Sequence, residues 1–295
     1  MAEVTKVRRR KTKVKPVDED LNGELTKLVL PTEVNEPPVE LTDSIITIYG
    51  RKGVGKTSLA SSFPNALTFM FERTRRNLRI LQVQIEEYTQ FLEYLELFLQ
   101  SDDHQVGVID TVDQSYEYCM DYICSSKGIN HPNEANDYGQ TWRQIKLEIR
   151  EVFGRIQEAG KGLIFLSHEN PKPLNTISKK LQREDEEAHS MFERMQPSCS
   201  KGAFEVIEEI CDYVFYYGFI EGKRAITVRS PSEVYWTSCG MSDQFLDPDG
   251  NPVNTFLVGD TPEEAYKTLL DAHGNKVRDI SYEPPRENRR RRTKK

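Results

Sequence analysis

The chain has 295 residues, 37% of them hydrophobic, and a formal net charge of −7; this allows one substantial core, while no apolar run approaches the roughly 18 residues of a membrane span. The charge is uneven, because residues 1–15 carry seven Lys/Arg and residues 283–295 carry seven more, so the body between them is strongly acidic and would hold nucleic acid only by local patches or tails. Five cysteines without a CxxC pair suit reduced thiols, five His at no ligand spacing argue against zinc, and with no signal peptide after the basic start the expected setting is cytoplasmic.

Residues 1–42 are charged and dotted with Pro16, Pro31, Pro37 and Pro38, which predicts a basic arm with at most one short strand at "LTKLVL". From residue 43 to 275 strand and helix signals alternate. The strands are "SIITIYG", "ALTFMF", "VGVID" and "GLIFLS"; the helices are Gly55–Ser62, "EEYTQFLEYLELFLQ", "TVDQSYEYCMDYICSS" and "GQTWRQIKLEIREVFGRIQEAG". That order predicts an α/β fold with a mostly parallel sheet flanked by helices.

Residues 170–202 are polar and read as a long loop or insertion. Beyond it, "ICDYVFYYGFI" and "KRAITVRS" around "EG" signal a hairpin that adds antiparallel strands. "FLDPDGNPVNTFLV" reads as a second turn-linked pair, since Asp247 and Asp249 do not fit a calcium loop. In "DTPEEAYKTLLDAHG", Thr261 caps a helix, Pro262 opens it, Glu264 completes the capping box and Gly274 stops it. Residues 276–295 then read as a basic tail.

The most specific signal is Gly50-x-x-x-x-Gly55-Lys56-Thr57, a complete P-loop pattern between a strand and a helix. Its glycines let backbone N–H groups curl around phosphates, so Gly50, Arg51, Lys52, Gly53, Val54, Gly55, Lys56, Thr57 and Ser58 are the expected contacts to ATP. Lys56 would reach the β and γ phosphates, and Thr57 would ligate Mg2+. Asp110, ending the apolar strand "VGVID", is the expected second magnesium residue; the competing reading is a helix cap. Asp113 reads as a first-turn helix residue. Glu72 ends the strand after the P-loop helix, where a parallel sheet would bring it to the nucleotide as general base; the alternative is a surface Glu among Arg73, Arg75 and Arg76. The strand "GLIFLSHEN" ends in Ser167, His168, Glu169 and Asn170, polar groups placed to sense the γ phosphate.

In this order these pieces resemble the RecA-like ATPase core, and are most similar to the phage-encoded P-loop ATPases of the single-strand-annealing (Sak) type. The resemblance runs from about Ile45 to Ser238 and includes "DYGQTW", "SHEN", "EEICDYVFYYG" and "KRAITVR". It implies ATP hydrolysis coupled to single-stranded DNA in phage recombination or replication, with Glu72 activating water, Asp110 on magnesium and His168 as sensor. It also implies a homo-oligomeric ring or filament, completed by a cation in trans for which Lys223, Arg224 and Arg229 are candidates, and a single-strand-binding protein as a further partner. The loops facing DNA would be "SSKGINHPNEAND" and residues 170–202, with Lys179, Lys180 and Arg183 on phosphates and Phe192 able to stack on a base. Competing readings are a nucleotide-gated loader with little turnover and a P-loop small-molecule kinase; the lack of an Asn-Lys-x-Asp motif disfavours a GTPase.

Overall fold

The strands of the fold alternate their side chains between two apolar layers, and this is what sandwiches the sheet between helices. In the computed structural model, which describes residues 40–73, 78–173, 193–231, 234–240 and 243–280, the strands are β1 (Ile45–Gly50), β2 (Ala66–Met70), β3 (Gln82–Gln84), β4 (Val106–Asp110), β5 (Gly162–Pro173), β6 (Glu193–Pro197), β7 (Tyr213–Ile220), β8 (Lys223–Thr227), β9 (Ser238–Cys239) and β10 (Thr255–Leu257). The helices are α1 (Lys56–Ala60), α2 (Tyr88–Gln100), α3 (Val112–Ser126), α4 (Gln140–Glu158), α5 (Lys201–Ile210) and α6 (Pro262–His273). The expectations at Lys179, Lys180, Arg183 and Phe192, along the arm to residue 39 and in the tail from residue 281, lie outside the described residues.

Among the described residues the sheet runs β10-β8-β7-β1-β5-β4-β2-β3, with β6 beside β5 and β9 beside β7. The six strands from β7 to β3 are parallel. β8 and β10 extend the sheet antiparallel through the hairpin at Glu221 and Gly222. This is the mostly parallel sheet flanked by helices that the sequence predicts, with antiparallel C-terminal strands.

On one face, Ile45, Tyr49, Phe69, Ile109, Leu163 and Phe165 pack under α2, α3, α4 and α5. On the other, Ile46, Ile48, Val108, Ile164, Leu166 and Phe215 pack under α1 and α6. α2 shows why these helices form where they do. Phe91, Leu95 and Phe98 recur at helical spacing and are its buried stripe, each worth about 1.5–3 kcal/mol of burial, so Leu95→Ala would cost about 2–5 kcal/mol. The capping box of α6 forms as its sequence predicts, with Thr261 accepting from the Glu264 amide and Glu264 accepting from the Thr261 amide.

Three expectations need correction. The polar stretch 170–202 is not loop throughout: β5 continues through it to Pro173, β6 returns antiparallel with Asn170 opposite Gln196 and Lys172 opposite Arg194, and α5 starts at Lys201. Packing begins at Leu41, which is buried, and continues past residue 275. There Asp279 accepts from the amides of Asn254 (3.1 Å) and Thr255 (2.9 Å). Of the second turn-linked pair, only β10 is a strand, joined to β8, while its first half contributes the single bridge Leu246–Pro252. Asp247 accepts from the amides of Asp249 and Asn251, as the turn reading requires.

The register places the chemistry. Gly50 lies opposite His168, and Met70 opposite Asp110, while the amides of Phe71 and Glu72 both reach the Asp110 carbonyl, at 2.8 and 3.3 Å. The P-loop, Glu72, Asp110 and the end of "SHEN" therefore share the carboxyl edge of the parallel strands, where open α/β sheets bind ligands.

Candidate functional site

The phosphate loop is shaped by close approach. At Gly50 a Cβ would sit 2.0 Å from the Tyr217 carbonyl oxygen, so only glycine lets β1 turn away beside β7. Gly55, at φ 108°, adopts the left-handed conformation that opens α1. Between them Arg51, Lys52 and Gly53 are exposed and Val54 is buried. Arg224 holds this loop from β8, donating from Nε to the Val54 carbonyl (3.0 Å) and from Nη1 to the Asp260 carbonyl (3.3 Å). Ser58 is half-buried in α1, and its carbonyl accepts from the Ser62 hydroxyl.

Lys56 is buried, and its ammonium donates to the carbonyls of Gly50 (2.7 Å) and Arg51 (3.1 Å). Burial lowers its pKa to about 8, against the opposing pull of Asp110, Glu169 and Glu72. Beside it, Thr57 Oγ1 donates to Asp110 Oδ2 at 2.7 Å. Burial raises the Asp110 pKa, and that hydrogen bond works the other way. The pair brings two hard oxygen donors together at the mouth of the loop.

Glu72 faces this pair. Its Oε1 accepts from Thr111 Oγ1 (3.3 Å) and lies 3.5 Å from His168 Nε2. His168 Nδ1 lies 3.5 Å from the Lys56 ammonium. An ammonium has only donors, so in the neutral ring Nδ1 is the acceptor and the proton sits on Nε2, toward the carboxylate. Lys56 at the start of α1, His168 on β5 and Glu72 just after β2 thus form one line of polar contacts.

Asp113 does more than start a helix. Its Oδ2 accepts from Ser167 and Ser198, both at 3.3 Å, and its Oδ1 is buried without a partner among the described residues. Burial raises its pKa to about 6. Glu169, next along β5, accepts from the Tyr216 hydroxyl at 2.9 Å. Sequence reading singled out neither link; the signal for the second was the aromatic run "YVFYYG", whose alternation points Tyr216 to the same sheet face as Tyr49.

A nucleoside triphosphate with magnesium fits these residues. Arg51, Lys52 and Gly53 leave the loop exposed to a ligand, Lys56 is a desolvated cation, and Thr57 and Asp110 supply oxygen to a hard divalent ion. Among the described residues no group of three or more His, Cys, Asp and Glu could hold a metal ion, so magnesium at this site would depend on phosphate oxygens for its remaining ligands. Arg224 and Arg229 are both engaged within their own chain, Arg229 through the carbonyls of Phe245, Val253 and Gln244. No helix among the described residues is long and apolar enough to cross a membrane.

A family model described as an AAA domain matches residues 42–236. The SPbeta prophage-derived uncharacterized protein YorG of Bacillus subtilis (strain 168) is 23% identical over 134 residues, which cover 43% of this chain and 42% of that protein. The chain therefore spans under half the length of that relative. Among solved structures, a KaiC-like protein of the hyperthermophilic archaeon Pyrococcus horikoshii OT3 aligns at a TM-score of 0.40 with 15% identity, covering 76% of this chain and 88% of that one.

Proposed function

The chain belongs to the AAA domain family, and from that premise we propose that its P-loop binds ATP with magnesium, hydrolyses it, and applies the cycle to single-stranded DNA in phage recombination or replication. The observation that carries the hydrolytic part is the convergence of Thr57 on Asp110 beside the line Lys56–His168–Glu72. Bound magnesium would neutralise charge on the phosphates.

The side chains divide the remaining work. Lys56 offsets β- and γ-phosphate charge, Thr57 and Asp110 hold the metal, and Glu72, oriented by Thr111 and His168, accepts the proton of the attacking water. His168, between Lys56 and Glu72, links the state of the γ phosphate to β5. The DNA part is supported by the resemblance to single-strand-annealing ATPases, by the basic ends of the chain and by a relative of prophage origin. Assembly into a ring or filament in the host cytoplasm, with a single-strand-binding protein as partner, belongs to the same reading. Lys223, exposed at the start of β8, is its remaining candidate for a cation acting in trans.

The test is phosphate release by the full chain with magnesium and ATP, with and without oligo(dT) at low salt. Magnesium-dependent hydrolysis accelerated by the oligonucleotide is expected. A rate indifferent to DNA, together with no salt-sensitive binding, would overturn the DNA part, and tight ATP binding without turnover would favour a nucleotide-gated loader.

A further inference from the structure

Beside β6 lies a groove of about 490 Å³, walled by Arg194, Ser230, Pro231, Tyr235 and Trp236 and floored by Val228, just past the end of β8. It is large enough for a nucleotide-sized ligand. Among the described residues no acidic side chain lines it, although the body of this chain is strongly acidic.

Among the described residues the charge at its rim is unbalanced. Lys172 and Arg194 stand directly opposite each other in the β5–β6 ladder, which puts two cations on one face, and like charges so placed repel. Among the described residues neither makes an ion pair or a side-chain hydrogen bond, and Lys172 is exposed. An arrangement that costs stability in the free chain is relieved by a bound anion.

The aromatic wall is held in place by backbone. Residues 234–236 run along β6, with the Met195 amide donating to the Val234 carbonyl and the Trp236 amide donating to the Met195 carbonyl, both at 2.8 Å. Tyr235 stacks on Tyr216 at 4.0 Å between ring centroids, and Tyr216 in turn donates to Glu169. Groove and hydrolysis site are thus joined twice, along β5 from His168 to Lys172 and through the rings from Glu169 to Tyr235.

Resting on the single-stranded DNA reading above, the geometry points to this groove as the seat of one nucleotide of the strand, its base against Tyr235 and Trp236 and its flanking phosphates on Arg194 and Lys172. Base stacking on aromatics with cations along the backbone is how proteins hold single strands without reading sequence. The site differs from the expected contacts at Lys179, Lys180 and Arg183.

The experiment uses the full chain and fluorescein-labelled oligo(dT), with anisotropy measured over a range of salt. The double variant Lys172→Gln/Arg194→Gln should bind at least about tenfold more weakly and lose about 0.7 from the salt slope for each lost phosphate contact, while Arg194→Lys keeps most of the affinity. Binding of a fluorescent ATP analogue reports that the variants are folded. Separately, oligo(dT) should change the tryptophan emission of the wild type but not of Trp236→Phe, in which Trp142 alone remains. If the wild type binds oligo(dT) and the double variant matches it in affinity and slope, the groove is excluded and the DNA reading stands. An unchanged emission response in Trp236→Phe also excludes it. If the wild type does not bind oligo(dT) at low salt, both fall.

Discussion

Thr57, at the start of α1, and Asp110, at the end of β4, are 53 residues apart in sequence and meet hydroxyl to carboxylate at 2.7 Å. Their meeting follows from strand order, because β5 and β4 lie next to β1 in succession and bring Asp110 to the edge where the P-loop turns. The carboxylate is buried, so the hydroxyl satisfies an oxygen that would otherwise be costly to desolvate.

Asp110→Asn keeps the size and the hydrogen-bond acceptor but removes the charge a divalent ion needs. Phosphate release should fall by about 100-fold or more, and raising magnesium should restore part of it if the loss is in metal affinity. EDTA should abolish wild-type turnover.

Asp113 gives a pH dependence with a definite sign. Burial raises its pKa from the ordinary 3.8 to about 6 in the folded chain, so between those values the native state binds more protons than the unfolded state. Stability from this group is therefore present at low pH and lost as pH rises through about 4 to 6. Asp113→Asn keeps an acceptor for Ser167 and Ser198 and removes the titration. Its melting temperature should exceed the wild type's at pH 7.5, and the difference should shrink toward pH 4; equal melting temperatures throughout would refute this.

Arg224 ties the phosphate loop to β8 through the Val54 carbonyl. Arg224→Gln loses a charged hydrogen bond worth about 1.5–3 kcal/mol, which loosens the loop proposed to bind ATP. KM for ATP should rise about tenfold with a much smaller effect on kcat. The opposite split, kcat collapsing at unchanged KM, would mean that this arginine acts in a neighbouring subunit's site.

Much of this architecture is legible in the sequence because local and long-range requirements coincide. Gly50 and Gly55 are glycines for backbone reasons that any phosphate loop shares, the alternating apolar strands name both layers, and α6 carries its own start and stop. β3 escaped because "QVQ" has one apolar residue and is ordered by its neighbour β2. α5 opens at the very end of the polar stretch and runs on past it, and Ser200, whose hydroxyl accepts from the Ala203 amide, and the spacing of Ala203, Val206 and Ile207 mark it. β6 could not be read at all, since "ERMQP" has no strand pattern and exists through pairing with β5. At the site the candidates Lys56, Thr57, Glu72, Asp110 and His168 come together, but the roles of Asp113 and Glu169 depend on partners 54 and 47 residues away, which no local pattern announces.

Glu72 as the general base of an ATP hydrolysis site stands or falls with the Glu72→Gln variant. Phosphate release and binding of a fluorescent ATP analogue are measured side by side on the full chain with magnesium. In the variant, turnover should fall by about 100-fold or more while analogue affinity stays within about threefold of the wild type. Turnover retained at the wild-type rate would contradict it.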